Sequence, residues 1–300
     1  MKTRTDTFSS YHPLVNMLYF TAVIGFSMFF MHPVTLVISL ISACAYAVCL
    51  HGKKALRTGF VVMLPMALAA ATLNPLFNHR GATILTYLPN GNPLTLESVM
   101  FGVAAAVMLV TVITWFSCFN AVMTGDKFVY LFGRVIPAMS LILSMALRFV
   151  PRFRAQIKTV ANAQKCIGQS VSTGNIFRRA KYGVKILSIL VTWSLENAIE
   201  TADSMKSRGY GLPGRTAFSI YRFTRRDGLA MVYIFICAAA TITGAALEVY
   251  RFRYFPTIRH ISAYSLWVAA LFLLYFALCA FPLIVNMKED FLWKRIPSNT

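Results

Sequence analysis

The sequence predicts an all-α fold: a polytopic membrane helix bundle of about six spans that carries long cytoplasmic helices. Three observations predict it. Of 300 residues, 57% are apolar and only 13% charged, against roughly 25% charged in a soluble domain. Mean hydropathy is +0.62. Six apolar runs contain no Asp, Glu, Lys or Arg, and uncharged runs of about 18 or more residues read as membrane helices.

The runs are 14–31, 33–50, 59–77, 98–122, 229–247 and 264–285. The first reads as a span and not as a cleaved leader, because a second apolar run follows at once with no small-residue cleavage site. Spans one and two are short for a bilayer core of about 30 Å and are joined only by the "MHPV" turn at Pro33. Between spans three and four, residues 78–97 read as a small hairpin. There "TILTYL" and "PLTLE" flank a Pro-Asn-Gly-Asn turn; a plain connector and a lid over that face both fit.

Sidedness follows from the basic residues. With the N-terminus inside, 25 of the 29 Lys and Arg lie on the cytoplasmic side, leaving Arg80, Arg251, Arg253 and Arg259 outside. Counted over short segments alone, eight lie inside and four outside. Both termini are therefore expected in the cytoplasm and the chain in the cell membrane. The net charge of +19 then belongs to membrane topology and calls for no nucleic acid.

Chemistry of its own is not indicated. Ion-coupled carriers place ionisable groups at membrane depth, and the six runs have none. Asn16, Asn74 and Asn120 read as helix-to-helix contacts. The six cysteines show no ligand spacing and read as small buried hydrophobes, so no metal, disulfide framework or cofactor is expected.

Between spans four and five lie about 100 residues, too many for a connector. A helix is expected from near Ile136, with Pro137 in its first turn, until Pro151 breaks or kinks it. A second, "RFRAQIKTVANAQKCIG", pairs a stripe of Phe153, Ile157, Val160 or Ala161, and Gln164 with a basic flank of Arg152, Arg154, Lys158 and Lys165, and stops at Gly168. Asn175 caps a third. A last pattern sets Val191, Leu195, Ala198, Ala202 and Met205 on one apolar face and Glu196, Glu200 and Asp203 on an acidic stripe. That stripe either pairs with the basic flank or is a solvated face. Arg148 either snorkels to the interface or makes a structural contact beneath it.

Two helices thus end in short triplets with glycine, Cys166-Ile167-Gly168 and Ser207-Arg208-Gly209. Arg208 has two readings. As a terminal cation it stabilises the helix dipole by about 0.3–1 kcal/mol. As an exposed fork it binds a partner carboxylate through bonds of about 1.5–3 kcal/mol each.

These stretches resemble the T component of energy-coupling factor (ECF) transporters and the related permease subunits of cobalt and nickel uptake systems. "ALRFVPRFRAQIKTVANAQKCIG" resembles the family's Arg-Phe-Ile-Pro stretch leading to its first Ala-Arg-Gly motif. "SLENAIETADSMKSRGYG" resembles the second motif, Met-x-Ala-Arg-Gly-Tyr, and "GATILTYLPNGNPLTLESVMFG" fits the hairpin before span four. The resemblance implies a scaffold without catalysis whose coupling helices dock on two ABC ATPase subunits. It also implies a substrate-binding S component, for a vitamin or a metal ion, that reorients in the lipid bilayer. Arg208 and Gly209 match the second motif, with Ser207 in place of alanine. Cys166, Ile167 and Gly168 occupy the first, but Ile167 stands where arginine is expected. That dock then works by apolar contact, takes its charge from Lys165 or another basic residue, or is weaker. No GxxxxGK[ST] loop is present, so ATP hydrolysis is assigned to other chains.

The expected organisation is a membrane region at 1–122, a cytoplasmic coupling region at 123–228 and a membrane region at 229–300. A stand-alone carrier or membrane enzyme, whose basic region binds an anionic substrate or lipid, is the alternative.

Overall fold

The structure is a computed structural model and describes residues 6–52, 57, 59–87, 91–133, 136–169, 175–213, 221–257, 259–260 and 266–295. The chain divides into two compact units, one of residues 1–124 and 221–300, the other of residues 125–220.

Among the described residues the first unit holds six apolar helices: α1 (Pro13–Phe29), α2 (Pro33–His51), α3 (Leu64–Phe77), α4 (Leu96–Val122), α8 (Arg225–Ala246) and α9 (Leu266–Arg295). A π turn, Gly59–Met63, leads into α3. Four of the six are long and apolar enough to cross a membrane; Pro13–Phe29 and Val61–Phe77 are shorter. The fold is thus an all-α membrane helix bundle, and the six runs read from sequence are its six apolar helices.

Each helix begins where local chemistry lets it. The first two start with the same device. His12 and His32 are held extended by the following proline, and each ring Nδ1 accepts a bond from the N–H two residues on, Leu14 and Val34, at 3.2 Å. Thr95 caps α4. Thr224 and Asp227 form a reciprocal capping box at α8, with Thr224 N–H donating to Asp227 Oδ2 at 2.9 Å.

The bundle closes around Trp115, Tyr19, Phe20, Tyr46 and Tyr275, all fully buried. Their polar atoms are matched across helices. Trp115 Nε1 donates to Ser39 Oγ at 3.0 Å, Ser39 shares a 2.7 Å bond with Ser27, and Tyr19 donates to the Cys279 carbonyl at 3.0 Å. Bonds of this kind between membrane helices average about 0.6 kcal/mol each. Cys118, Cys237 and Cys279 are buried as expected, whereas Cys44 and Cys166 are exposed and Cys49 is half-buried.

The N-terminus is built into the same core. A 3₁₀ turn, Phe8–Ser10, buries Phe8 completely. Asn286 of α9 accepts from the Thr7 and Phe8 N–H groups and donates to Asp6, which also accepts from the Tyr46 hydroxyl at 2.9 Å. Arg226 lies 4.2 Å over the Tyr11 ring and donates to Ser10 Oγ at 2.8 Å.

The 78–97 segment forms an antiparallel pair, β1 (Ile84–Tyr87) with β2 (Pro93–Thr95), in the register Ile84↔Thr95 and Tyr87↔Pro93. Pro89 and Asn90 of the expected turn lie outside the described residues. Glu97, which the sequence places at the edge of span four, is buried; its carboxylate accepts from the Thr83 N–H and hydroxyl. Only glycine fits at Gly81, since a Cβ there would lie 2.5 Å from that carboxylate. A second short pair, β3 (Phe252–Arg253) with β4 (Arg259–His260), follows α8, and the Ala82 N–H donates to the Pro256 carbonyl beside it.

The second unit holds α5 (Gly125–Gly133), α6 (Pro137–Cys166) and α7 (Ile176–Ser207). The sequence reading missed α5 and cut the other two too finely. Pro151 does not end its helix, which is 30 residues long and continues to Cys166. Phe149 and Phe153, one turn apart on either side of Pro151, both lie against Trp193 of α7, at 5.7 and 6.1 Å. That shared partner offsets the roughly 3 kcal/mol that an interior proline costs. Likewise the third helix and the last pattern are one helix of 32 residues, capped by Asn175 Oδ1 accepting from the Ile176 N–H.

Candidate functional site

The two helix endings are built alike. At the end of α6 the Gly168 N–H donates to the Lys165 carbonyl (3.0 Å) and the Gln169 N–H to Gln164 (2.9 Å). At the end of α7 the Gly209 N–H donates to Lys206 (2.9 Å) and the Tyr210 N–H to Met205 (3.0 Å). Both are complete Schellman closures, which need a left-handed residue just past the cap. Gly168 and Gly209 supply it, at φ +78° and +77°. The caps themselves superimpose in torsion: Ile167 at −90°, 10° and Arg208 at −85°, 9°.

This fixes the correspondence between the tips position by position. Lys165 pairs with Lys206, Cys166 with Ser207, Ile167 with Arg208 and Gly168 with Gly209. Lys165 therefore has its own counterpart and does not stand where Arg208 stands. Ile167 is 68% exposed, an apolar group displayed at the place where the other tip displays a guanidinium. Arg208 is exposed too, and Ser207 Oγ donates to the Ser204 carbonyl at 3.0 Å, closing the last turn beneath it.

Helices α6 and α7 cross in opposite senses. Val160, with Phe153 and Ala161 against it, meets Ile186 and Leu190, while Phe149 and Phe153 meet Trp193, so rising number on one helix meets falling number on the other. Arg152 lies 5.9 Å above the Trp193 ring. The two tips consequently leave the crossing in opposite directions. At 1.5 Å per residue, Ile167 lies ~10 Å along the axis past Val160, where Lys185 of α7 still donates to Gln169 at 2.9 Å, and Arg208 lies ~16 Å past the buried Asn197.

Two features of these helices go beyond the pattern read from sequence. The stripe Val191, Leu195, Ala198, Ala202 and Met205 is not the face that α7 buries within the chain; Val191 and Leu195 are 50% and 61% exposed. The buried face is Ile186, Leu190 and Asn197, with Trp193 half-buried. Apolar residues surround α7 so widely that spacing alone did not select which of them meets α6. The acidic stripe Glu196, Glu200 and Asp203 is exposed, and among the described residues none of the three forms an ion pair with Arg152, Arg154, Lys158 or Lys165. It is the solvated face. Arg148 and Pro151 are exposed on α6. Gly214 and Arg215, which continue the Arg208 segment, lie outside the described residues. Among those described, no group of three His, Cys, Asp or Glu side chains is placed to hold a metal ion.

An all-α, multi-pass membrane bundle joined to a unit of two long crossed helices with matched tips is the class that fold and site define. The chain is similar to energy-coupling factor transporter transmembrane proteins EcfT. It is 34% identical over 102 residues to that of Lactobacillus helveticus, 40% over 96 residues to that of Lacticaseibacillus paracasei and 33% over 105 residues to that of Bacillus selenitireducens. Each match takes in 32–35% of this chain and 36–39% of the relative. The chain thus spans well under half the length of the curated relatives it matches, and the similarity to EcfT transmembrane proteins is confined to that stretch. No protein-family profile matches it.

Proposed function

We propose that this chain is the non-catalytic transmembrane coupling subunit of an ECF-type importer. Two ATPase subunits dock on the tips of α6 and α7, at Lys165 to Gly168 and at Ser207 to Gly209. Their ATP-driven movement passes through the crossed helices to an S component, which reorients and releases a vitamin or metal ion inside. The chain then sits in the cell membrane with both termini in the cytoplasm. Residues 1–122 and 229–300 form the membrane region and 123–228 the coupling region.

The observation that carries this reading is the matched pair of tips. Two Schellman endings of the same backbone shape, projecting oppositely from one crossing, suit two partners of the same fold. The exposed apolar stripe of α7 leaves a face for a further membrane partner, and Arg208 supplies a forked donor for a partner carboxylate.

The test is co-purification with candidate ATPase subunits in detergent. Arg208→Glu reverses the charge at the dock and is expected to lower ATPase retention by about 100-fold, equivalent to about 2.8 kcal/mol. Unchanged assembly and unchanged transport-linked ATP hydrolysis would remove Arg208 from the interface. Transport by the purified chain without any ATPase would replace the proposal with a stand-alone carrier.

A further inference from the structure

Away from the tips, the first unit contains a cavity of about 850 Å³ walled by α2, by the π turn with α3, and by α4. Its walls are aliphatic along most of their length. The hydroxyl of Thr114 on that wall is turned back onto the Val110 carbonyl at 2.7 Å. At one end α3 and α4 are pinched together: a Cβ on Gly102 would lie 2.7 Å from the Ala71 carbonyl oxygen, so only glycine permits this approach. The opposite mouth lies by His51, Gly59 and Ser117. That mouth is polar, with His51 at the end of α2 and Ser117 near the end of α4 sharing a 3.5 Å contact.

The sequence that links two of the lining residues carries charge of one sign. Between the cavity-lining residues His51 and Gly59 the sequence reads "GKKALRT", with Lys53, Lys54 and Arg57 and no acidic residue. Of these three cations Arg57 lies among the described residues and is exposed. A half-open apolar slot that ends at a polar mouth, with the exposed Arg57 two residues from the lining Gly59, matches a molecule with a hydrocarbon tail and an anionic head.

We propose that this cavity is a binding site for an anionic phospholipid, its acyl chain in the slot and its phosphate at His51, Ser117 and Arg57. The volume lies in the range of about 300–1,000 Å³ typical of small-ligand pockets. Each basic group near an anionic headgroup contributes about fivefold in affinity, so the basic mouth selects among lipids whose tails are alike.

Native mass spectrometry of the full chain, taken from nanodiscs of equimolar phosphatidylglycerol and phosphatidylcholine into detergent, tests it. One phosphatidylglycerol is expected to be retained about fivefold over phosphatidylcholine. Arg57→Gln is expected to bring that ratio close to one without lowering total lipid. Ala67→Phe with Val110→Phe fills the slot and is expected to lower retained lipid about tenfold. Should that double variant not fold, Cys44 decides: it lines the cavity and is exposed, and its alkylation, read by peptide mapping, is expected to slow about fivefold when phosphatidylglycerol is added to delipidated protein. The proposal is overturned by equal retention of the two lipids, by lipid retention that the filled slot leaves unchanged, or by Cys44 protection that appears only with a protein partner or a second copy of the chain.

Discussion

Single side chains set the helix ends, and at His12 that role is tied to protonation. Its Nδ1 accepts the Leu14 N–H bond that starts α1, which the neutral ring alone can do. Burial holds its pKa below the usual value of 6.5, against the opposing pull of Asp227. The sign follows from linkage. A histidine whose folded pKa is lowered contributes stability that is present in full above 6.5 and is lost as pH falls below it toward the folded value. Thermal unfolding in detergent is therefore expected to shift down between pH 8 and pH 5. His12→Asn, which keeps an acceptor but does not titrate, is expected to flatten that shift; an unchanged pH profile in the variant would put the effect elsewhere. At this scale much was legible. Pro13, Pro33, Asn175, Gly168 and Gly209 obey rules that reach only a few residues along the chain, and each stands at the helix boundary its chemistry implies. Glu97 was not legible, because its burial depends on the backbone of Thr83, 14 residues away.

Among elements, the crossing of α6 and α7 shows where local rules stop. Proline at 151 reads as a break, and the helix continues because Trp193 holds Phe149 and Phe153 on both sides of it. Trp193→Ala removes that clamp together with the Arg152 contact. It is expected to cost up to about 3 kcal/mol, the low end for a fully buried tryptophan, seen as earlier proteolysis of the 125–220 unit in a time course at constant protease. Cleavage that is no faster than wild type would show that Pro151 is tolerated for another reason. The same limit leaves the buried face of α7 undecided by sequence. Periodicity ranks faces by apolarity, and α7 has two; only the partner helix distinguishes Ile186 and Leu190 from Val191 and Leu195.

For the molecule as a whole, the six apolar helices were readable because membrane spans announce themselves by length and lack of charge. The way the chain returns on itself was not. Asn286 binds the backbone of Thr7 and Phe8 across 279 and 278 positions, and no pattern near either end signals it. Asn286→Leu leaves two N–H groups and the Asp6 carboxylate short of partners, at about 1–3 kcal/mol. The melting temperature is expected to fall and the N-terminal peptide to be cleaved first under limited proteolysis; equal protection in variant and wild type would mean that Phe8 alone anchors the segment.

The two tips differ in how they are tied to the crossing. Just past the isoleucine tip, Gln169 Oε1 accepts from Lys185 Nζ of α7 at 2.9 Å, so that end is guyed to the partner helix like a mast. Arg208 stands ~16 Å along the axis beyond Asn197, the last buried residue of α7. Taking that stretch as a rigid boom, a tilt of about 10° sweeps the arginine end through ~3 Å.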